Sequence, residues 1–326
     1  MPAVVGASAP YQNTADMRTR GWELSVNWRD QIGKVGYRVG FNLSDSQSKI
    51  VKYNSNESGI LTSALSNGST FWNYYEGKDL GEIWGYEYDG FYTVDDFTDT
   101  SSWKLKEGVP SIDGYNPRPG DVKFKNLMDD DRGTNMISSG DNTVSNPGDR
   151  KVIGNNTPRY LYGITLGANF KGFDLNVFMQ GTGKRDAWIA NNLKFPLYSD
   201  FKFIALYKDL GNYWKPVDAA NGDYTAANPN AEFPRIYGNY GNQGSNYRQS
   251  DKYLSDASYF RIKNVTLSYT FPKAWITKAS LSQLKAFVSI ENLATFSSLP
   301  KGIDPETLSW NYPAFRTVSF GLNVTL

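Results

Sequence analysis

The chain is 326 residues long and carries 34 Lys and Arg against 33 Asp and Glu, a net charge of +1 that gives a nucleic acid no basic surface to hold. It has no His and no Cys, which excludes imidazole acid–base chemistry, His/Cys metal centres, thiol nucleophiles and disulfides. Mean hydropathy is −0.52 and no run approaches the ~18 apolar residues of a membrane-spanning helix; strands that alternate across a membrane are compatible with such a value.

The first residues, Met1–Gly6, lack a basic region followed by an apolar stretch, so no signal peptide is expected there. Strict alternation then dominates. Trp22, Leu24, Val26 and Trp28 alternate with Glu23, Ser25 and Asn27, and after the turn at 30–34 come Val35, Tyr37, Val39, Phe41 and Leu43. Ile83–Tyr92 and Asp121–Asn126 are weaker strands, either crossing a membrane or forming a hairpin above it. Tyr160 to Phe170 alternates again, followed by a tight Lys171-Gly172 turn and Phe173, Leu175, Val177 and Met179. Phe203, Leu206, Tyr207, Leu210 and Trp214 fall at helical spacing after Ser199-Asp200, which predicts a short helix packed within the loop 183–257. Val265 to Phe271, Ala286 to Ile290 and Val318 to Leu326 complete seven clear strands.

Alternation alone does not name the solvent. A sandwich turns its apolar faces inward, whereas a membrane barrel turns them to lipid and its polar face to water. Runs of about 8–13 residues exceed the usual globular strand and suit a tilted membrane strand. Aromatic residues near run ends (Trp22, Trp28, Tyr160, Phe170, Phe271) suit an interfacial girdle. Short turns at 30–34 and 171–172 contrast with long loops at 45–80, 126–157, 183–257 and 292–313. These features favour an all-β, antiparallel transmembrane barrel segment of about 7–10 strands over a secreted β-sandwich carbohydrate-binding module, the alternative.

An ordered series of blocks resembles the SusC/RagA family of TonB-linked (TonB-dependent) outer-membrane transporters. The blocks are RTRGWELSVNWRD, YRVGFNLSDSQSKIVKY, WGYEYDGFY, PGDVKF, VIGNNTPRYLYGITLGANFKGFDLNVFMQGTGKRD, DASYFRIKNVTLSYTFP and VSIENLATFSS…GIDPE…YPAFRTVSFGLNVTL. Together they cover nearly all of the chain and correspond to the C-terminal part of such a transporter. The resemblance implies a larger 22-stranded barrel with a plugged lumen, in the outer membrane of a Gram-negative, Bacteroidetes-like cell. It implies nutrient uptake of oligosaccharide or peptide, a SusD/RagB-like lipoprotein as lid, and TonB–ExbB–ExbD acting through an N-terminal part. The signal peptide, TonB box and plug of that part are not expected within residues 1–326, so Met1 reads as an internal start of a fragment not competent alone. The strand Phe320-Gly321-Leu322-Asn323-Val324-Thr325-Leu326 resembles the terminal assembly signal of outer-membrane proteins, with Leu326 in place of the usual aromatic end.

Chemistry is sparse. The cluster from Asp129 to Gly133 follows a block that often reads like a calcium loop, but Met128 and Arg132 interrupt the spacing of oxygen ligands. A solvated acidic loop is therefore expected there rather than Ca²⁺ held by Asp129 and Asp131, and no other cofactor is implied. No local motif pairs two carboxylates for glycoside hydrolysis, so no catalytic residue and no enzyme is expected. Trp72, Tyr74, Tyr75, Trp188, Tyr237, Tyr240, Tyr247 and Trp310 lie among polar residues in loops and are the ligand candidates. Glu23, Asn27 and Arg38 sit on the polar strand face and are candidates for the lumen or for contact with a plug.

Overall fold

The computed structural model describes residues 13–64, 70–112, 114–128, 135–190, 194–195, 208–237, 245–277, 280–309 and 314–326. Seven long strands form one sheet in which spatial order is chain order: β1 (Ala15–Ile32), β2 (Val35–Tyr53), β3 (Arg159–Phe170), β4 (Phe173–Lys184), β5 (Tyr259–Thr270), β6 (Gln283–Ser297) and β7 (Thr317–Thr325). From β2 to β7 every neighbouring pair is antiparallel. These are the seven strands that alternation predicts. The tight turn between β3 and β4 is made by Lys171 and Gly172, both at positive φ (46° and 87°), the twist a two-residue hairpin requires.

The strands outrun the alternation. β1 and β2 are 18 and 19 residues long, and β2 continues through the polar stretch Asp45–Ser48. Alternation reports only where one face is apolar, whereas the backbone ladder continues wherever a partner strand is available.

The chain divides into two compact units: Met1–Arg20, Gln47–Gly154 and Ala190–Leu254 form the first, and Gly21–Ser46, Asn155–Ile189 and Ser255–Leu326 the second. The first has a conventional interior. Leu61, Tyr75 and Trp84 form a buried cluster with Trp72 packed against it. Tyr86 meets Phe124 at 5.3 Å, and Tyr253 contacts Phe195 at 5.1 Å and Phe233 at 6.3 Å. The weaker strands lie in this unit, outside the seven-stranded sheet: Glu82–Tyr86 pairs with Arg150–Asn155, and Tyr88–Phe91 with Val122–Phe124. Of the expected loop helix, Phe203, Leu206 and Tyr207 lie outside the described residues. Lys208–Leu210 makes a single 3₁₀ turn, and Trp214 is buried against Gly120, where a Cβ would fall 2.3 Å from the indole.

The second unit has the opposite polarity. Register aligns Val39, Leu166, Val177, Val265, Ile290 and Val318 in one row across β2–β7, and Tyr37, Ala168, Leu175, Leu267, Val288 and Phe320 in the next. This apolar face is open: Val39, Leu166, Leu175 and Leu267 are exposed, and Phe320 is 81% exposed. The intervening row, Arg38, Gly167, Asn176, Thr266, Ser289 and Ser319, is polar. A sandwich would bury the first set and wet the second.

Aromatic side chains bound the apolar band. At one end Phe173 meets Tyr269 at 4.6 Å, Tyr269 meets Phe271 at 5.1 Å, and Trp275 of the one-turn helix α1 (Lys273–Ile276) follows. At the other, Phe260 stacks between Tyr162 at 6.5 Å and Phe296 at 5.9 Å. The second belt is hidden in the sequence because an extra residue in β5, Lys263, is skipped in the pairing with both β4 and β6 and changes which parity of β5 faces outward.

Candidate functional site

On the polar face of β2 and β3, four of the five facing pairs combine a glycine with a larger partner, Gly36 with Asn169, Arg38 with Gly167, Gly40 with Thr165, and Asn42 with Gly163, the fifth being Ser44 with Leu161. A Cβ on Gly167 would lie 2.5 Å from Nε of Arg38, so the glycine is what lets that arginine lie flat across β3. Arg38 thereby reaches β4, donating to Asn176 and standing 4.0 Å from Asp174. Asn27 donates weakly to Ser25 at 3.5 Å, and Glu23 is exposed.

The Gly-Ile-Asp-Pro-Glu block is clasped to this unit through charge. Arg261, 2% exposed, pairs with Asp304 and with Glu306, both at 2.9 Å, and donates to Thr295 Oγ1 at 2.8 Å. Lys263 and Gln180 also reach Glu306, at 3.1 and 2.7 Å. A buried arginine demands such partners, since an unpaired charge there costs several kcal/mol. Nothing in the spacing of Arg261 marks this role in advance.

Among the aromatic ligand candidates of the first unit, the structure makes some into interior. Tyr75 is buried and donates to the Glu82 carboxylate, which also accepts the indole N–H of Trp84 at 2.8 Å. Burial pushes the Glu82 carboxyl up and the neighbouring Lys78 ammonium down; Lys78 lies 5.2 Å from the Tyr75 ring centre and donates to the Asn73 carbonyl at 2.8 Å. Tyr247 is buried and stacks on Phe195 at 4.5 Å. Tyr237 is half-buried and donates to Asp121 at 2.5 Å. Asp121 is fully buried, accepts Asn246 Nδ2 at 3.0 Å and the Arg118 backbone at 2.7 Å, and burial raises its pKa. Open surface remains on Tyr74, 53% exposed, and on part of Trp72. Trp188 is half-buried in the second unit. Tyr240, Trp310, Asp129 and Asp131 lie outside the described residues, so the acidic cluster has no described geometry.

Trp72 borders a pocket of about 330 Å³ in the first unit, with Trp84, Tyr86, Arg150 and Arg248 among its walls. The two arginines carry no sequence signal that would have singled them out. Nearby, Asp149 is fully buried and accepts three backbone N–H groups, from Leu127 at 2.6 Å, Met128 at 3.1 Å and Ser138 at 2.7 Å.

Residues of the assembly-signal strand occupy β7. Phe320, Leu322, Val324 and Leu326 are all exposed, between 53% and 89%. Gly321 faces the other way and is covered by the Phe287 ring, which a Cβ would meet at 2.3 Å. The glycine is a packing position for an aromatic on the adjacent strand.

An open sheet with an exposed apolar band, aromatic edges and a hydrogen-bonded polar face defines the class: a segment of an antiparallel transmembrane β-barrel. No family model matches the chain. It is 28% identical over 345 residues to the TonB-dependent receptor P3 of Formosa agariphila, covering 99% of this chain and 30% of the relative. It is 23% identical over 323 residues to the TonB-dependent receptor SusC of Bacteroides thetaiotaomicron, covering 96% of this chain and 27% of that one. The fold matches that of the RagAB peptide transporter with a TM-score of 0.60 at 18% identity, over 99% of this chain and 31% of that chain. The RagAB peptide importer in its open-open state also matches at a TM-score of 0.60 and 19% identity, over 100% and 30% of the two chains. The chain thus resembles SusC/RagA-type receptors, not enzymes, along its whole length, and spans about 30% of the length of the curated relatives it matches.

Proposed function

We propose that this chain supplies wall strands and outer loops to an outer-membrane importer that works through TonB and takes up oligosaccharide or peptide beneath a SusD-like lipoprotein. The observation that carries the reading is the polarity of the seven-stranded sheet, whose apolar rows are exposed and whose polar row is knitted by side-chain hydrogen bonds. Such a sheet is stable only where lipid covers one face and water the other. The relatives named as TonB-dependent receptors support energised uptake, and the RagAB structures, described as a peptide transporter and importer, support a peptide cargo and a two-component assembly. SusC among the relatives supports the pairing with a lipoprotein lid. Because the chain spans about 30% of the relatives, transport is a property of the complete assembly rather than of these residues alone.

The test is fractionation followed by growth. The protein should sediment with outer membranes, resist salt and carbonate extraction, and co-purify with a lipoprotein in mild detergent. Disrupting the gene that encodes it should abolish growth on one class of oligosaccharide or peptide. Recovery of the protein in the soluble fraction without detergent would refute the reading.

A further inference from the structure

The pocket bordered by Trp72 has a chemistry that the wall does not explain. Its aromatic walls are Trp72, Trp84 and Tyr86, and its basic walls are Arg150 and Arg248; no carboxylate lines it among the described residues. Arg150 is buried, its guanidinium carbon 5.9 Å from the Trp72 ring centre, and among the described residues its hydrogen bonds go to neutral oxygens: Nε donates to the Pro147 carbonyl at 3.1 Å, and Nη2 to the Ser139 carbonyl at 3.0 Å and to Asn142 Oδ1 at 3.2 Å. Arg248 is half-buried, and its Nε–H is enclosed with no hydrogen-bond partner among the described residues. Neither arginine forms an ion pair among the described residues.

The fold brings Arg248 there deliberately. Tyr86 donates its backbone N–H to the Gln249 carbonyl at 2.9 Å, and Gly85 admits that backbone, since a Cβ at this position would fall 2.7 Å from the same oxygen. Two guanidinium groups without a counter-charge among the described residues, one with an enclosed donor unmet by them, are costly unless an anion meets them. The space suits a ring rather than a bare ion, being about ten times a water's share of liquid volume. Indole and phenol faces beside hydroxyl and amide groups, here Thr62, Ser139 and Gln249, suit a hydroxylated ring.

We propose that this pocket binds an anionic sugar unit, its carboxylate or sulfate ester meeting Arg150 and Arg248 and its ring lying against the Trp72–Trp84 wall. The proposal deepens the transport reading and rests on it only in treating the ligand as cargo.

The test is titration of the full chain in detergent micelles, read by tryptophan fluorescence and calorimetry. The probes are a uronate-containing disaccharide, a sulfated neutral disaccharide, the unmodified neutral disaccharide and a tripeptide with a free carboxyl terminus. One or both anionic sugars should bind at least tenfold more tightly than the neutral sugar, and which of them binds identifies the anion. Binding should weaken as salt rises. Arg248→Gln should lower that affinity at least tenfold with the circular dichroism unchanged, and Arg248→Lys should recover part of it. Trp72→Ala should weaken the neutral and anionic sugars alike. Equal binding of neutral and anionic sugars, indifference to Arg248→Gln, or preference for the tripeptide overturns the proposal. A chain that floats with lipid vesicles but ignores both anionic sugars refutes this inference alone, whereas one that binds them but needs no lipid refutes the transport reading alone.

Discussion

Val265 offers a direct test of which way the sheet faces. It lies on the apolar row between Val177 and Ile290, five residues after Phe260 in one aromatic belt and four before Tyr269 in the other. With Lys263 bulged, the step from Phe260 to Tyr269 matches the eight-residue step from Gly181 to Phe173 on β4, about 27 Å along the strand at the usual rise, or about 21 Å across a bilayer at a tilt near 40°. That lies close to the ~25 Å apolar band of outer-membrane barrels and puts Val265, opposite Val177, at its middle. An arginine on the lipid face at that depth costs about 2–4 kcal/mol, a shift of roughly 30- to 900-fold in the folding equilibrium. Thr266, one residue on, faces the polar side and bonds to Ser289 at 2.8 Å and Asn264 at 2.9 Å. There the same substitution forfeits about 1 kcal/mol of neutral hydrogen bonding. Urea titration of the complete protein reconstituted in lipid vesicles measures both. Val265→Arg should lose the larger amount and Thr266→Arg the smaller, and the reverse order would refute the assignment of faces.

Three other outcomes follow. Asp149→Ala removes the acceptor of three backbone donors, of which the one at Ser138 is buried, and should cost about 1–3 kcal/mol, with faster amide exchange at Leu127, Met128 and Ser138; unchanged exchange there would contradict the role of the carboxylate. Hydrogen bonds from Lys125 and Lys151 hold the Glu87 carboxyl down at about 2, against its ordinary 4.5. A depressed carboxylate stabilises the fold above its ordinary value and loses that contribution as pH falls toward the depressed one, so Glu87→Gln should flatten the change in near-ultraviolet dichroism between about pH 4.5 and about 2. An acid profile identical to that of the unsubstituted protein would rule this out. Finally, β1 and β7 are edge strands among the described residues, and unpaired backbone in hydrocarbon costs several kcal/mol per group. The 326-residue chain alone should therefore give no steady single-channel conductance in planar bilayers, and a stable unitary current would count against that reasoning.

The wall was legible because its physics has period two. Every strand of the sheet announces itself wherever its outer residues are apolar, as at Val35 to Leu43 or Val318 to Leu326. Legibility ends where that pattern ends: the polar reach of β2 beyond Leu43 keeps its ladder without alternation, and the extra residue Lys263 in β5 conceals Phe260 as an outward aromatic. Loops are harder for a different reason. Aromatics among Asn, Gly and Ser read the same whether they wait for a ligand or fill a small interior, and Tyr75 and Tyr247 proved to be interior. Arg150, Arg248 and Arg261 were unreadable because their importance lies in what surrounds them. The same residue type is clasped by two carboxylates in one case and, among the described residues, by none in the others.

The glycine pairing between β2 and β3 has an evolutionary corollary. Where Arg38 lies across Gly167 and Asn42 across Gly163, no position is free to drift by itself, because a new side chain on the glycine strand forces its neighbour upright. Transferring the bulk to the opposite strand, with Arg38 becoming glycine as Gly167 becomes arginine, keeps the volume between them constant. Change along this stretch is expected to arrive as exchanges between partners, and a bore lined in this way can alter its charge pattern without altering its width.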